Sequence, residues 1–182
     1  TSGPDGSSWT VDNGDHTVKK FTAKGEKLAE IQAEHPAKEM SGDPFCRPAH
    51  LAVCPKTGNL FVADGYSNAR VHKYDPNGRL IMSWGESGTG PGQFNIAHNV
   101  CTDKDGWVYV ADRESHRVQI FNSDGKFETQ WTNMARPCGL YIDQAAELVY
   151  VGELGAAIGP NIKATGLGPR ISIYNTSGKV LA

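Results

Sequence analysis

One segment recurs along the whole chain, and this repeat constrains the fold more than any other feature of the sequence. Three copies run from an acidic residue through a loop into an alternating strand: DNGDHTVKKF (12–21), DGYSNARVHKY (64–74) and DRESHRVQIF (112–121). A fourth copy begins at Glu153 and ends in RISIY, with a glycine-rich insertion, LGAAIGPNIKATGLGP, between them. The initial acids of successive copies lie 52, 48 and 41 residues apart. Repeats of this length made of short alternating segments are typical of stacked or radially arranged units.

Each copy divides into short segments with the two-residue alternation of β-strands. In the second copy they are AHLAVCP, LFVAD, RVHKY and RLIMSW, and in the third AHNVCT, WVYVAD, RVQIF and FETQW. Four antiparallel strands per repeat predict an all-β protein, a β-propeller of four-stranded antiparallel blades. Helical spacing is confined to KLAEIQAEHPAKEM (27–40), where Pro36 interrupts it, so we expect at most a short helical turn there.

The strand assignment predicts a single domain over residues 1–182 with about four blades. They cover approximately 1–40, which lacks its first strand, 41–90, 91–133 and 134–182, which ends inside its outer strand. A propeller leaves open sheet edges unless its ring closes. Four blades closing on themselves, part of a larger ring, or self-association through the open edges would each satisfy this condition. We favour part of a larger ring.

The composition excludes some classes of partner. With 18 basic and 20 acidic residues, the chain lacks the basic footprint of a nucleic-acid binder. It has no apolar run of membrane-spanning length, so we expect no membrane partner. The four cysteines have no CxxC pairing, which predicts buried free thiols, with a disulfide as the alternative. The sequence does not determine the cellular compartment of the protein; we expect a secreted or periplasmic location.

The third copy resembles the NHL repeat, in which D-x-x-x-H-R-V-Q-I-F is followed by D-G-K; here the second element is Asp124–Gly125–Lys126. The resemblance extends over essentially the whole chain. NHL propellers usually have six blades, so the resemblance implies a six-bladed ring of which this chain supplies about four blades.

Two segments more narrowly resemble the catalytic core of peptidyl-α-hydroxyglycine α-amidating lyases: ADGYSNARV (63–71), and PGQFNIAHNV together with ADRESHRVQIF (91–121). In that family the motif tyrosine is the base, the arginine of ADRE binds and polarises the substrate, and the histidine of QF-x-x-x-H is one of three zinc ligands. The resemblance therefore implies Tyr66 as base, Arg113 as electrostatic partner and His98 as zinc ligand. The implied reaction cleaves a peptidyl-α-hydroxyglycine, the substrate, to a peptide amide and glyoxylate.

A second histidine occupies the position of His98 on the neighbouring blade. His98 lies 14 residues before Asp112, and His50 lies 14 residues before Asp64. Because equivalent positions of adjacent blades converge on the central axis, we predict His50 as a further metal ligand, although the family more often has an acid there. The remaining family zinc ligands fall outside this chain. A structural calcium ion is also compatible with the resemblance, but its ligands are not identifiable here.

Comparison of the copies separates scaffold residues from candidates for function. Tyr66 and Arg113 differ from their equivalents in the other copies, which favours a functional role. The residues that recur are expected to be structural: the acids accept loop N–H groups, and the arginines pack along the blades. We further expect four histidines outside the site: His16 and His116 as loop caps, and His35 and His72 at the surface.

A function without catalysis is the alternative reading of the sequence. An NHL propeller of this kind would present one rim to a protein or peptide and bind no metal. Its contact surface would be rich in exposed aromatic residues. The two hypotheses differ in metal content and in the role of Tyr66.

Overall fold

The computed structural model describes residues 1–3, 5–155 and 169–182. Its strands form four antiparallel sheets, each a blade whose strands are adjacent in chain order. Blade 1 has β1 (Ser8–Asp12), β2 (Thr17–Phe21) and β3 (Lys27–Gln32); blade 2 has β4 (His50–Val53), β5 (Leu60–Asp64), β6 (Arg70–Tyr74) and β7 (Leu80–Trp84); blade 3 has β8 (Ala97–Thr102), β9 (Val108–Asp112), β10 (Arg117–Phe121) and β11 (Phe127–Trp131); blade 4 has β12 (Pro137–Asp143), β13 (Leu148–Glu153) and β14 (Arg170–Asn175). The predicted all-β architecture with four blades is confirmed.

The innermost strands of successive blades contact one another, β1 with β4, β4 with β8 and β8 with β12. In blade 1, β1 is the equivalent of the second strands of blades 2 and 3, and residues Thr1 and Ser2 pair with it. The short helical turn expected within 27–40 is wrong, because Lys27–Gln32 forms the outer strand β3 and residues 33–40 contain no helix. Most of the glycine-rich insertion of blade 4, residues 156–168, lies outside the described residues. Closure into a six-bladed ring stays a prediction.

Apolar side chains fill the spaces between blades. Phe61, Trp84 and Phe121 lie in the layer between blades 2 and 3. Between blades 3 and 4, Trp131 stacks on Tyr174 with ring centroids 5.0 Å apart. The four cysteines are free thiols, three of them buried and Cys138 half-buried, which confirms the preferred reading of the sequence. None of the described residues forms a helix that is long and apolar enough to span a membrane.

In blades 2, 3 and 4, a buried carboxylate at the end of the second strand holds the segment that leads into the inner strand. Asp64 accepts the backbone N–H of Cys46 at 2.9 Å. The equivalent bonds run from the Asn95 N–H to Asp112 and from the Ala135 N–H to Glu153, both at 2.7 Å. The recurring acids are therefore structural, as predicted. In blade 1, Asp12 is exposed; it accepts N–H groups of its own loop and pairs with Lys19 at 3.5 Å.

His72 is fully buried, so the predicted surface position is wrong. Its Nε2 lies 3.1 Å from Asp64 Oδ2, and its Nδ1 lies 2.7 Å from the Ser83 hydroxyl. This Asp–His–Ser series superficially resembles a hydrolase triad. The repeat nevertheless gives the position of His72 to Gln119 in blade 3, and Gln119 donates its amide to the acid of its own blade. The series is therefore part of the scaffold that satisfies each buried carboxylate.

The two histidines expected to cap loops do so across blade boundaries. His16 and His116 both adopt the left-handed conformation, with φ of 61° and 55°. Their Nδ1 atoms accept the backbone N–H groups of Arg47 at 2.9 Å and Arg136 at 3.3 Å. Each histidine therefore ties its own blade to the segment that begins the next one. His35 is exposed, as expected.

Candidate functional site

Three of the residues singled out from the sequence meet at one rim of the propeller. The Tyr66 hydroxyl lies 3.0 Å from His98 Nε2. The Arg113 guanidinium lies over the Tyr66 ring, with Cζ 5.4 Å from its centroid, and Nη1 lies 3.4 Å from the hydroxyl. The first contact is a normal hydrogen bond, and the second is long and adds a cation–π contact. Loops of blades 2 and 3 thus combine as the sequence predicted.

A β-bulge presents His98 to Tyr66. In the β8–β9 ladder, Ala97 pairs with Asp112 and Asn99 pairs with Ala111, so His98 is the extra residue on β8. A bulge bends its strand and re-aims the side chain of the inserted residue. Because the bulge falls where β8 begins, the imidazole turns toward the loop that follows β5 in the neighbouring blade.

Gly65 allows the Tyr66 loop to approach β8. A Cβ at Gly65 would lie only 2.0 Å from the Ala97 carbonyl oxygen and 2.5 Å from the Ala97 nitrogen. These atoms are backbone and have little room to move. Only glycine therefore fits between Asp64, which ends β5, and Tyr66, which must reach His98.

We expect Gly65→Ala to push the Tyr66 loop away from β8. The clash with the Ala97 backbone should lower the free energy of unfolding by about 1–3 kcal/mol and break the Tyr66–His98 hydrogen bond. Urea unfolding measures the first effect. Gly139→Ala is the matched control, because a Cβ there meets no atom within 4 Å among the described residues. Equal stability of the two variants would contradict the role assigned to Gly65.

Hydrogen bonding determines the tautomer of His98. Its Nδ1 lies 2.8 Å from the Cys138 carbonyl oxygen, so Nδ1 carries the proton and donates it. Nε2 then presents its lone pair and accepts the Tyr66 hydroxyl proton. Burial lowers the pKa of His98, the cations Arg113 and Arg136 lower it further, and the Cys138 carbonyl opposes them. His98 is therefore a neutral acceptor at neutral pH.

His50 repeats this arrangement one blade earlier. Its Nδ1 lies 3.1 Å from the Val100 carbonyl oxygen on β8, which again leaves Nε2 as the free acceptor. Burial lowers the pKa of His50 to about 4, and the charges of the N-terminus and His98 contribute in the same direction. The equivalence of the two histidines inferred from the repeat is confirmed in their hydrogen bonding. Their role as metal ligands stays a prediction.

The depressed pKa of His50 predicts a loss of stability in acid. Between its ordinary pKa of 6.5 and its folded pKa of about 4, the unfolded chain binds the proton and the folded chain does not. Stability is therefore complete above pH 6.5 and falls as the pH drops toward 4, by up to about 3 kcal/mol from this group. Urea unfolding of wild type and His50→Gln at several pH values measures the difference. Parallel stability curves would show that His50 does not titrate in this way.

Glu114 and Arg136 also contact the site, although neither is predicted from the sequence. Glu114 Oε1 accepts a hydrogen bond from Arg113 Nε at 2.8 Å and from Arg136 Nη2 at 2.9 Å. Burial raises the pKa of Glu114, but the hydrogen bonds and charges of the two arginines outweigh it, so the net shift is downward. Arg136 is buried and comes from the segment that precedes β12. The contact joins residues 22 positions apart, so repeat comparison alone could not reveal it.

His98 and His50 present ring nitrogens of the kind that metal sites use. Both histidine Nε2 atoms are unprotonated, and both Nδ1–H groups are held by backbone carbonyls, which is the usual orientation of a metal-binding imidazole. Within the described parts of the chain, however, no group of three or more His, Cys, Asp or Glu side chains is arranged to hold a metal ion. The Nε2 atoms of His50 and His98 thus fit two ligand positions of a zinc site. Any further ligands would come from outside the described residues.

Comparison with known proteins agrees with the repeat. The NHL repeat family model matches residues 45–74 and 94–121. Peptidyl-glycine alpha-amidating monooxygenase B of Xenopus laevis is 42% identical over 134 residues, 69% of this chain and 15% of the relative. A probable peptidyl-alpha-hydroxyglycine alpha-amidating lyase of Caenorhabditis elegans is 35% identical over 146 residues, 79% of this chain and 40% of the relative. NHL repeat-containing protein 3 of Homo sapiens is 38% identical over 136 residues, 70% of this chain and 39% of the relative. The chain thus spans less than half the length of each of these relatives.

Solved structures support the fold. A streptogramin B lyase superimposes with a TM-score of 0.70 at 16% identity, covering 100% of this chain and 52% of that one. The Kuenenia stuttgartiensis hydrazine synthase gives a TM-score of 0.69 at 15% identity, covering 100% and 46%. At such identities the likeness shows the fold alone. The chain therefore carries NHL repeats on a β-propeller fold, and its sequence resembles that of the peptidyl-α-hydroxyglycine α-amidating lyases.

Proposed function

We propose that the chain carries part of the catalytic core of a lyase that cleaves the C–N bond of a peptidyl-α-hydroxyglycine. The observation that carries the proposal is the meeting of Tyr66, His98 and Arg113 at one rim. Tyr66 and Arg113 differ from their equivalents in the other repeats, and all three occupy the motif positions of the family's catalytic residues. Two relatives whose names include amidation or amidating lyase activity are 42% and 35% identical to this chain.

The side chains suit the proposed chemistry. Tyr66, as phenolate, takes the proton of the α-hydroxyl group, and the electron pair left on that oxygen forms the carbonyl of glyoxylate. The C–N bond breaks, and its electron pair stays on the nitrogen, which takes up a proton and leaves as the peptide amide. The Arg113 guanidinium lies over the Tyr66 ring, with Nη1 beside the reacting oxygen. Before the reaction, while Tyr66 still carries its proton, the Nε2 lone pair of neutral His98 orients the hydroxyl.

A zinc ion fits this proposal through the same histidines. His98 and His50 would hold it by their Nε2 atoms, with the remaining ligands supplied from outside the described residues. A bound zinc with an open position polarises a hydroxyl group and lowers its pKa. The Nε2 lone pair that His98 would give to the metal is the one that now accepts the Tyr66 hydroxyl. Metal loading would therefore release the Tyr66 oxygen to face the substrate.

A second candidate function follows from another relative. NHL repeat-containing protein 3 shares 38% identity with this chain, and its name states no activity. On this reading the propeller is a scaffold that binds a protein or peptide through one rim. The scaffold reading requires neither a metal ion nor a proton acceptor at Tyr66.

Elemental analysis of the full-length protein tests the proposal against the scaffold. We expect about one zinc per chain, and we expect His98→Asn to retain much less of it. His35→Asn is the matched control because His35 is exposed and far along the chain from the site. Absence of zinc in the wild type, or equal retention by the two variants, would contradict the assignment of His98.

A further inference from the structure

We infer that Glu114, held by Arg136, is a positioning residue that fixes Arg113 over the Tyr66 ring. This inference rests on the proposed function for its effect on catalysis, but its structural part can be tested without activity. Glu114 touches neither Tyr66 nor His98 in the hydrogen bonds of the described residues, so it acts through Arg113.

Glu114 joins two arginines from different blades. Its Oε1 accepts Arg113 Nε at 2.8 Å and Arg136 Nη2 at 2.9 Å, and its Oε2 accepts Arg136 Nε at 3.2 Å. Arg136 therefore binds the Glu114 carboxylate in a bidentate manner, through Nε and Nη2. The planar guanidinium group suits this arrangement because its N–H groups match the two carboxylate oxygens. The carboxylate cannot turn away from Arg113 without losing this pair of bonds.

The backbone around Glu114 is fixed as well. The Arg113 N–H donates to the Ile96 carbonyl oxygen and the Glu114 N–H to the Asn95 carbonyl oxygen, both at 3.0 Å. These carbonyls belong to the segment that leads into β8 and His98. The Arg136 N–H donates to His116 Nδ1. The backbone at Arg113 and Glu114 is therefore hydrogen-bonded to the segment before β8, and the backbone at Arg136 is hydrogen-bonded to His116. These bonds fix the positions from which the side chains of Arg113, Glu114 and Arg136 meet at the junction of blades 3 and 4.

The bond from Nε determines which part of Arg113 faces the tyrosine. Because Nε is used by Glu114, the opposite edge of the guanidinium, with Nη1, lies toward the Tyr66 hydroxyl at 3.4 Å. A long flexible side chain held at one atom only would sample several rotamers over an exposed ring. Glu114 removes that freedom and keeps the cation beside the Tyr66 oxygen.

The negative charge of Glu114 also offsets the repulsion between the two arginines that it joins. Without its carboxylate, the guanidinium groups of Arg113 and Arg136 would lie close together uncompensated and repel one another. Arg136 is buried and cannot move away easily. The side chains of Arg113 and Arg136 are similarly buried, 13% and 9% exposed, so the repulsion is expected to disturb the contact of Arg113 with Tyr66.

A double-mutant cycle tests whether Glu114 acts through Arg113. We expect Glu114→Ala to lower kcat for an α-hydroxyglycine peptide by about 10- to 100-fold with little change in KM. In the Arg113→Ala background the same change should have almost no further effect. Glu114→Gln, which keeps the side-chain shape, should recover part of the loss. Glu147→Ala, which removes an exposed ion pair with Lys104, should leave kcat unchanged.

A second readout does not depend on turnover. In the folded wild type, NMR should show a sharp, slowly exchanging Arg113 Nε–H signal, assigned by its loss in Arg113→Lys. Glu114→Ala should broaden or remove that signal, and Glu147→Ala should not. A retained signal, or additive effects on kcat in the cycle, would overturn the positioning role. Loss of the signal in a protein without lyase activity would instead support positioning and count against the proposed function.

Discussion

Replacing Tyr66 by phenylalanine is expected to lower kcat for cleavage of an α-hydroxyglycine peptide by about 10²- to 10⁴-fold, the range for loss of a general base. The substitution removes one oxygen atom and keeps the ring under the Arg113 guanidinium. The fold and the position of the ring should therefore persist, and KM should change little. The initial rate of glyoxylate release measures the effect.

Tyr141 offers a matched control for this substitution. It is a tyrosine on β12 whose side chain is 64% exposed, and it takes no part in the site. Tyr141→Phe should leave kcat unchanged. If Tyr66→Phe turned over the peptide as fast as wild type, Tyr66 would not be the base, and the catalytic reading of this rim would fail with it.

Replacing Asp112 by alanine is expected to lower the free energy of unfolding by about 3–5 kcal/mol, the cost of breaking a buried ion pair on one side. Asp112 is fully buried, and its Oδ2 accepts Arg117 Nε at 2.8 Å. It also receives the N–H of Asn95 at 2.7 Å and the amide of Gln119 at 3.2 Å. Without Asp112, the charge of Arg117 and the two other donors lose their buried acceptor.

The repeat itself supplies the control for Asp112. Asp12 occupies the same position in blade 1, but its side chain is 49% exposed. Its partners are N–H groups of its own loop and the Lys19 ammonium, which is 3.5 Å away at the surface. Asp12→Ala should therefore cost about 1 kcal/mol or less. Urea unfolding of both variants measures the difference. Equal losses would contradict the conclusion that burial gives the recurring acid its structural role.

The fold could be predicted because it repeats. Each strand of blades 2 and 3 begins and ends within a few residues of its predicted position, since alternation and turn residues recur in register. Lys27–Gln32 shows the limit of the pattern: KLAEIQ has helical spacing, yet it forms β3 because β2 pairs with it along its length. Tertiary pairing here overrides local propensity.

The candidate site could be predicted only where it breaks the repeat. Tyr66 and Arg113 stood out because their equivalents differ, and the structure brings both to His98. The predicted surface position of His72 is wrong because the two-residue alternation shows only which residues lie on the same face of the sheet. It does not show that the buried carboxylate of Asp64 lies next to the His72 ring. Glu114 and Arg136 meet only through the packing of blade 3 on blade 4. Gly65 carried a signal, a glycine between an acid and a tyrosine, but its need for close approach to Ala97 is visible only in three dimensions.

The central claim is that Tyr66, His98 and Arg113 form the site of a carbon–nitrogen lyase. The most direct test is product analysis after incubation of the full-length, zinc-loaded protein with a peptide ending in α-hydroxyglycine. We expect peptide amide and glyoxylate in equal amounts, formed much faster by the wild type than by Tyr66→Phe. Failure of the wild type to release glyoxylate above the rate of that variant would contradict it.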